Sequence, residues 1–310
     1  MKFAIIGQQD FGKAVLEALL ARGDQAVAVF CAPEKEGARP DALRAAAQQR
    51  DLRIHQFKSL RDPEATLAMR ESGADIGIMA FVTQFAPQEF VTLPKHGTIQ
   101  YHPSLLPKYR GPSSINWPII KGDTETGLTI FRPSDGLDEG LVVLQKKTPI
   151  GPDDTLGSVY FDRLFPMGVA AMLEAADLVL AGKHTETAQN EAEASYEGWC
   201  RSAEAKIDWA KPIDQVYNLI RGCNPAPGAW TTLDGKRLQI FDARKVVFRR
   251  FAEVPGKIGE VTGMTAQSFQ VVGQGGLIEV LKAKLEDGKK VSGGELAQVG
   301  GVSAGSLLGS

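Results

Sequence analysis

The chain has 310 residues, enough for two domains with at least one large apolar core. Its 43% apolar and 23% charged residues are typical of an ordinary globular protein. A formal charge of −2 gives the molecule no overall attraction to nucleic acid or anionic membranes, although a local basic patch would still allow RNA binding. No apolar run approaches the ~20 residues of a membrane span, so no membrane partner is expected.

The cysteines give an expectation about the cellular compartment. All three are far apart in the sequence and lack the spacing of metal ligands; they are Cys31, Cys200 and Cys223. No signal peptide is recognisable at the N-terminus. These features together predict reduced thiols in a cytoplasmic protein.

The N-terminal third alternates short apolar runs with segments of helical periodicity. Strands are predicted at residues 2–6, 25–30, 52–56, 75–79 and 97–100. Helices are predicted at residues 11–22, 41–50, 62–72 and 88–93. This alternation predicts a parallel sheet with right-handed crossovers and helices on both faces.

The following segments make the predicted sheet mixed. A helix is predicted over residues 112–121, with Pro112 in its first turn and Gly122 beyond its end. Strands are predicted over residues 127–132 and 141–145. Because these two strands are close in sequence, an antiparallel pair is favoured.

The next segments are a predicted long helix and a stretch of small polar residues. The helix is predicted to begin at Asp154 or Thr155, to end near residue 181, and to be kinked or split at Pro166. Small polar residues at 185–195 then indicate a linker between domains.

The last third of the chain predicts a small all-β domain. After a helix at about residues 212–221, short strands separated by turn residues are predicted at residues 229–233, 238–241, 259–262, 269–272 and 278–282. The predicted fold class is therefore α/β: a Rossmann-like doubly wound mixed sheet with a smaller C-terminal β-barrel domain. The predicted boundaries are a first domain at 1–184, a linker at 185–203, and a second domain at 204–310 with a loose tail after residue 300.

Residues 100–111 contain the first candidate for catalysis. His102 follows a predicted strand and is succeeded by two prolines, Pro103 and Pro107, which restrict the backbone. Open α/β sheets bind their ligands beyond the carboxyl ends of strands. Lys108 and Arg110, just beyond the histidine, are either solvated loop residues or contacts to an anionic group of a substrate.

The turn after the first strand is close to two nucleotide-binding motifs and matches neither. A P-loop needs Ser or Thr where Ala14 stands, because that hydroxyl binds Mg²⁺. The dinucleotide fingerprint fails because its middle glycine is absent between Gly7 and Gly12. A tight strand-to-helix turn is predicted instead.

A second glycine-rich loop supplies a carboxylate. Gly136 and Gly140 allow sharp turns on either side of Asp138. Taken alone, Asp138 is a turn or N-cap residue. Paired with His102, it becomes a carboxylate that orients the imidazole and stabilises its charge.

The two loops together resemble those of the folate-dependent formyltransferase family. The first reads His-Pro-Ser-Leu-Leu-Pro-Lys-Tyr-Arg-Gly from His102, the second Gly-Leu-Asp-Glu-Gly from Gly136, and 36 residues separate His102 from Asp138. The family includes methionyl-tRNA formyltransferases, sugar-nucleotide formyltransferases and the hydrolase domain of 10-formyltetrahydrofolate dehydrogenase. The resemblance covers essentially the whole chain and is strongest to the hydrolase domain, for example in residues 6–12 and 81–85.

The resemblance implies a formyltransferase fold and a set of site residues. It implies 10-formyltetrahydrofolate as co-substrate, with no metal, His102 as donor to the oxyanion, and Asp138 as the group that orients it and helps remove a proton. By the same resemblance, the folate site is formed by Met79, Ala80, Phe81, Val82, Thr83, Gln84, Phe85, Ser104, Leu105 and Asp135.

Two residues depart from the family pattern. Gln100 stands where transferases carry Asn as a further oxyanion donor; its amide offers the same group on a longer stem. Glu139 stands where a hydroxyl residue is common, and its charge raises the proton affinity expected for Asp138.

The resemblance leaves the formyl acceptor open. Water is the leading expectation, giving tetrahydrofolate and formate; the alternatives are initiator methionyl-tRNA, an amino sugar, and a folate-binding sensor without turnover. Against tRNA stand the net charge and a short loop of mixed charge at residues 32–40. The basic residues left for RNA contacts are Arg244, Lys245, Arg249 and Arg250.

Overall fold

The computed structural model describes residues 1–34, 37, 39–248 and 255–309. The chain divides into two compact units, each built from separate segments. The first comprises Met1–Gly111, Gly127–Thr148 and Arg163–Tyr196. The second comprises Pro112–Thr126, Pro149–Asp162 and Glu197–Ser310. The sequence-based boundaries at residues 184 and 204 stay a prediction.

Strands and helices follow in chain order. The strands are β1 (Lys2–Gly7), β2 (Gln25–Cys31), β3 (Ile54–Gln56), β4 (Ile76–Ala80), β5 (Thr98–His102), β6 (Glu125–Phe131), β7 (Val142–Pro149), β8 (Ala229–Leu233), β9 (Lys236–Ile240), β10 (Ala243–Val247), β11 (Val261–Met264), β12 (Phe269–Gly273), β13 (Gly276–Val280), β14 (Lys282–Leu285) and β15 (Val291–Ser292). The α-helices are α1 (Gln9–Ala21), α2 (Ala42–Gln48), α3 (Pro63–Ser72), α4 (Gln88–Val91), α5 (Asn116–Lys121), α6 (Leu156–Val159), α7 (Phe165–Leu180), α8 (Ile213–Gly222) and α9 (Gly293–Gln298).

One mixed sheet forms the centre of the first unit. In the described residues its strand order is β3-β2-β1-β4-β5-β6-β7. Neighbouring strands from β3 to β5 are parallel, whereas β5 and β6 are antiparallel. The strand order reverses between β1 and β4, which is where doubly wound sheets open a ligand crevice. The predicted doubly wound mixed sheet is therefore confirmed.

The sheet is stable because both of its faces are covered. All five residues of β4 are buried, as expected for a parallel strand between two layers. One apolar cluster packs on one face, around Phe3, Val15, Ile78 and Met172. Another cluster covers the opposite face, around Ala4, Phe30, Met69 and Phe90.

One predicted helix begins later than the sequence suggested, and a second begins at its predicted cap. Pro112 was predicted in the first turn of a helix, but α5 begins only at Asn116. Pro118 explains the difference, because proline has no N–H and is tolerated only near a helix start. Thr155 caps α6 with a capping box, and a π-helical turn at Tyr160–Leu164 precedes α7. Pro166 lies in the first turn of α7, so the long predicted helix is interrupted by a π-helical turn just before this proline and is not divided at it.

The second unit contains two four-stranded antiparallel sheets in its described part. Their strand orders are β10-β13-β12-β11 and β15-β14-β9-β8. Side chains from both sheets share one apolar core, for example Ile240 and Ala283 of one sheet with Phe269 and Ile278 of the other. The predicted small C-terminal β domain is confirmed.

Three details of this unit differ from the prediction. The strand predicted at 278–282 is divided between β13 and β14, which belong to different sheets. Strand β10 was missed because it is an exposed edge strand with charged residues rather than an apolar run. Residues 300–309, predicted to be loose, contribute Leu308 to the core, and the amide of Gly309 donates to the carbonyl of Thr232 (2.9 Å). Of the helices described, none is long and apolar enough to cross a membrane.

The close approach of β1 to β4 gives a prediction about stability. A Cβ added at Gly7 would overlap the carbonyl oxygen of Ala80, which is main chain and has no room to move. We expect Gly7→Ala to lower the free energy of unfolding by ~1–3 kcal/mol in urea denaturation. Gly198→Ala is the control, since an added Cβ there meets no described atom within 4 Å. Equal stability losses for the two variants would contradict the packing argument.

Candidate active site

The candidate site forms where β4 and β5 end side by side. Met79 pairs with Gln100 across these parallel strands, so the segment after Ala80 and the segment after His102 leave the same edge of the sheet. Strand β1 ends at this edge as well, with Gly7 paired to Ala80. The sheet thus assembles three loop starts at the strand-order reversal.

His102 is buried, and both of its ring nitrogens face acceptors. Its Nε2 lies 2.9 Å from the carbonyl oxygen of Tyr109. Because a carbonyl only accepts hydrogen bonds, Nε2 must carry a proton. Its Nδ1 lies 3.6 Å from Oδ2 of Asp138. The predicted pairing of His102 with Asp138 is thus present in the geometry, and Nδ1 is the ring nitrogen that faces the carboxylate.

The Asp138 loop is held in an unusual backbone conformation. Asp138 has a φ of 56°, in the left-handed region. Its Oδ2 accepts a hydrogen bond from the amide of Gly111 (2.9 Å), which links it to the end of the His102 loop. Among the described residues, Oδ1 accepts no hydrogen bond. At Gly140 the chain passes close to Arg132. A Cβ at residue 140 would overlap the carbonyl oxygen of Arg132, so this position requires glycine.

A buried hydroxyl network supports the His102 loop from below. The Thr129 hydroxyl donates to the carbonyl of Ser104 (2.7 Å) and accepts from the amide of Leu106 (3.1 Å) and from the Gln145 side chain (3.0 Å). Ser104 is fully buried, and its hydroxyl donates to the carbonyl of Lys108 (2.7 Å). Ser104 therefore braces the loop, and its place in the folate site stays a prediction.

Arg110 takes neither of the roles predicted for it. Arg110 is 6% exposed, and its guanidinium donates to Gln189 and Glu191 and lies 3.7 Å from Glu139. The hydrogen bond to Glu191 raises the pKa of Arg110, and the same bond lowers the pKa of Glu191. Because the Glu191 pKa is lowered, the pair stabilises the fold at neutral pH and loses that contribution as acid protonates Glu191. Arg110 is an internal brace.

The residues expected to bind folate fall into different environments. Met79 and Ala80 are buried at the end of β4. Beyond them, Phe81 and Phe85 are each 42% exposed, and the Arg61 guanidinium lies 4.4 Å from the Phe85 ring centre.

The remaining predicted binding residues also differ from one another. The Gln84 amide donates to the carbonyls of residues 57 and 58, and the Thr83 hydroxyl accepts a long hydrogen bond from Gln8 (3.4 Å). Val82 and Leu105 are half-buried, and Asp135 is exposed.

Gln100 is half-buried on β5, two residues before His102. Side chains two apart on a strand point to the same face, so the Gln100 amide and the imidazole share one side of the sheet.

Sequence reasoning missed the groups that fix the His102 ring. The carbonyl of Tyr109 that orients the ring is a main-chain group, so no pattern of side chains in the sequence could predict it. Gln189 and Ser195, which bind this loop, lie in the segment interpreted as a linker. Within the described chain, no cluster of three or more metal-ligating side chains is present.

The predicted basic RNA contacts are partly engaged within the second unit. Lys245 forms an ion pair with Asp214 and lies over the Tyr217 ring, whereas Arg244 is exposed. Arg249 and Arg250 lie outside the described residues.

The hydroxyl network gives a second prediction. Thr129→Val keeps the side-chain shape but leaves the buried carbonyl of Ser104 and the amide of Leu106 without a partner, so we expect a loss of about 2 kcal/mol or more in the free energy of unfolding. The control is Thr66→Val, because the buried Thr66 hydroxyl has no partner in the described residues. That variant should change stability by no more than about 0.5 kcal/mol. Similar losses in both variants would contradict the network.

Relatives of known description are similar to this chain over nearly its full length. A mitochondrial 10-formyltetrahydrofolate dehydrogenase from Mus musculus is 35% identical, over 98% of this chain and 34% of that protein. The cytosolic enzyme from Xenopus laevis is 36% identical, over 94% of this chain and 33% of that protein. The chain thus spans about a third of the length of these relatives. A methionyl-tRNA formyltransferase from Geotalea daltonii is 33% identical, over 100% of this chain and 98% of that protein.

Solved structures share the fold at lower identity. HypX from Aquifex aeolicus in complex with tetrahydrofolic acid has a TM-score of 0.68 at 20% identity, over 96% of this chain and 46% of that one. An N-formyltransferase from Helicobacter canadensis, in complex with folinic acid and dTDP-3-aminofucose, has a TM-score of 0.67 at 18% identity, over 91% and 99%. The family described as formyl transferase matches residues 1–175, and its C-terminal domain family matches residues 200–299. The chain belongs to the formyl transferase family.

Proposed function

We propose that this protein uses 10-formyltetrahydrofolate as formyl donor and transfers the formyl group to water, releasing tetrahydrofolate and formate. The observation that carries the proposal is the His102–Asp138 pair, with Nδ1 and Oδ2 3.6 Å apart at the carboxyl end of β5. A formyl transferase needs an oxyanion donor beside a proton acceptor, and this pair supplies both.

The segment after β4 suits a folate. Exposed aromatic rings at Phe81 and Phe85 offer apolar surface to a flat heteroaromatic ring system. Residues 81–87 belong to no helix or strand, which leaves their main-chain groups free of ladder pairing. Beside them, Arg61 carries a positive charge that suits the carboxylates of a folate tail.

The proposed chemistry assigns a step to each group. A water oxygen attacks the formyl carbon while Asp138 accepts a water proton through Oδ1. The formyl oxygen becomes an oxyanion that receives a hydrogen bond from Nδ1–H of a protonated His102, whose charge Asp138 and the Tyr109 carbonyl stabilise. The bond from the formyl carbon to N10 then breaks, and N10 takes the proton from Asp138. Gln100, on the same strand face as His102, is the proposed second donor to the oxyanion.

The charge of the protein favours water over tRNA as the formyl acceptor. The net charge of −2 is unsuited to a polyanion, and Lys245 is already paired with Asp214. The chain is also 35–36% identical to two 10-formyltetrahydrofolate dehydrogenases. The resemblance to their hydrolase domain supports water as the acceptor. Initiator methionyl-tRNA is the second candidate, because the Geotalea daltonii relative matches over its full length. A cytoplasmic location stays a prediction, since the relatives include cytosolic and mitochondrial enzymes.

The acceptor is tested by supplying 10-formyltetrahydrofolate alone, then with initiator methionyl-tRNA, then with a nucleotide-linked amino sugar. Release of tetrahydrofolate is followed spectrophotometrically, and formate is quantified. We expect turnover in water alone, with no more than a twofold increase when either amine is added. Turnover that requires the tRNA or the amino sugar would overturn the hydrolytic proposal and leave formyl transfer intact.

The site residues are tested by substitution. We expect His102→Asn and Asp138→Asn each to lower kcat by about 100-fold or more, because each removes a group that acts in the transition state. Tetrahydrofolate affinity should change by less than about threefold, since neither group is proposed to hold the ring. His96→Asn is the control histidine and should leave kcat unchanged. Wild-type binding of tetrahydrofolate without any turnover would instead favour the folate-binding sensor.

A further inference from the structure

The segment interpreted as a linker lies along both loops of the candidate site. We name residues 187–195 the strap. At one end, Thr187 exchanges two backbone hydrogen bonds with Val142 at the start of β7 (2.8 and 2.9 Å). At the other end, the amide of Ser195 donates to the carbonyl of Pro107 (3.1 Å), and its carbonyl accepts from the amide of Arg110 (2.8 Å). The strap is therefore fixed at both ends within the first unit.

One side chain of the strap joins the two catalytic loops. The Nε2 of Gln189 donates to the carbonyls of Asp138 and Gly140, both at 2.8 Å. Its Oε1 accepts from Nε and Nη2 of Arg110, at 3.2 and 2.9 Å. An amide side chain has two N–H donors, and Gln189 uses both on the Asp138 loop. No other residue type of this length offers two donors and an acceptor in one plane.

Ser195 holds the peptide that orients His102. Its hydroxyl accepts a hydrogen bond from the amide of Tyr109 (2.9 Å), and the carbonyl of the same residue receives Nε2 of His102. Tyr109 has a φ of 58°, a conformation that non-glycine residues adopt only when their surroundings hold them there. The Ser195 contacts on both sides of this residue supply that support.

Arg110 is the buried residue to which the strap side chains Gln189 and Glu191 bind. Arg110 is 6% exposed, and Glu191 of the strap compensates its charge through two hydrogen bonds. Gln189 therefore binds a guanidinium that is already fixed and neutralised. Movement of the strap would displace the backbone of Asp138 and the carbonyl that orients His102 together.

We propose that Gln189 and Ser195 are positioning residues, which hold Asp138 and His102 at the separation that formyl transfer requires. This inference rests on the proposed function. Neither residue touches the substrate in the proposal; each acts through a catalytic partner. Misplacement of a reacting group by about 1 Å can cost on the order of 100-fold in rate, so loss of such a support should appear in kcat.

The first test compares Gln189→Met with Asn116→Leu. The control is matched because the Asn116 amide also donates to two main-chain carbonyls, those of Gly222 and Ala226, but within the second unit. At a temperature where circular dichroism shows both variants folded, we expect Gln189→Met to lower kcat about 10- to 100-fold, with KM and tetrahydrofolate affinity within about twofold. Asn116→Leu should keep the wild-type kcat.

The second test asks whether the supports act through the catalytic pair. Once Asp138→Asn has removed the carboxylate, Gln189→Met should cause little further loss of kcat, because the group it positions no longer reacts. Likewise, Ser195→Ala should lower kcat in the wild type but cause little further loss once His102→Asn is present. Because Ser195→Ala removes only one hydroxyl, it provides the test if Gln189→Met fails to fold.

The outcomes separate this inference from the proposed function. If the wild type turns over formyl donor and both strap variants keep its kcat, or lose as much in the catalytic-variant backgrounds as alone, the positioning role is wrong and the function stands. An equal kcat loss in Asn116→Leu also overturns it. Absence of wild-type turnover with water and both amines removes the proposed function, and this inference with it.

Discussion

The candidate site depends on one hydrogen bond, from Nε2 of the buried His102 to the main-chain carbonyl of Tyr109. A carbonyl cannot donate, so this contact fixes both the ring orientation and the nitrogen that carries the proton. The other nitrogen is then directed at Asp138. The loop after β5 must return to the strand end to bring that carbonyl into place, and this requirement explains its internal bracing by Ser104 and Thr129.

Alternating charges allow such a site to be buried. Asp138 faces the imidazole, Arg110 lies behind the loop, and Glu139 and Glu191 stand against the guanidinium. Glu139 and Glu191 thus compensate the charge of the buried Arg110, which lowers the cost of removing that charge from water. From the sequence, Arg110 was a candidate contact to an anionic ligand. In the structure its guanidinium instead binds Gln189 and Glu191 of the strap.

The sequence predicted the sheet and the proximity of His102 to Asp138 because both are encoded by local signals. Apolar runs such as Ile76–Ala80 mark buried strands directly. His102 and Asp138 were paired through the spacing of two distinctive loops. The orienting carbonyl of Tyr109 could not be predicted, because main-chain acceptors have no residue signature. Gln189 lies 79 residues from Arg110 in a segment of low-complexity polar character, and only the folded chain brings the two together.

The interleaving of the two units has a consequence for dissecting this protein into fragments. The chain enters the second unit at Pro112–Thr126 and again at Pro149–Asp162 before entering it finally at Glu197. The buried residues of those early segments, such as Ile119 and Val159, belong to a unit whose remaining residues come much later in the chain. A fragment ending at residue 184 would expose that apolar surface and would also lack the strap. Cleavage at the apparent linker would therefore yield an incompletely folded half, and synthesis must pass the strap before the loops of His102 and Asp138 are held.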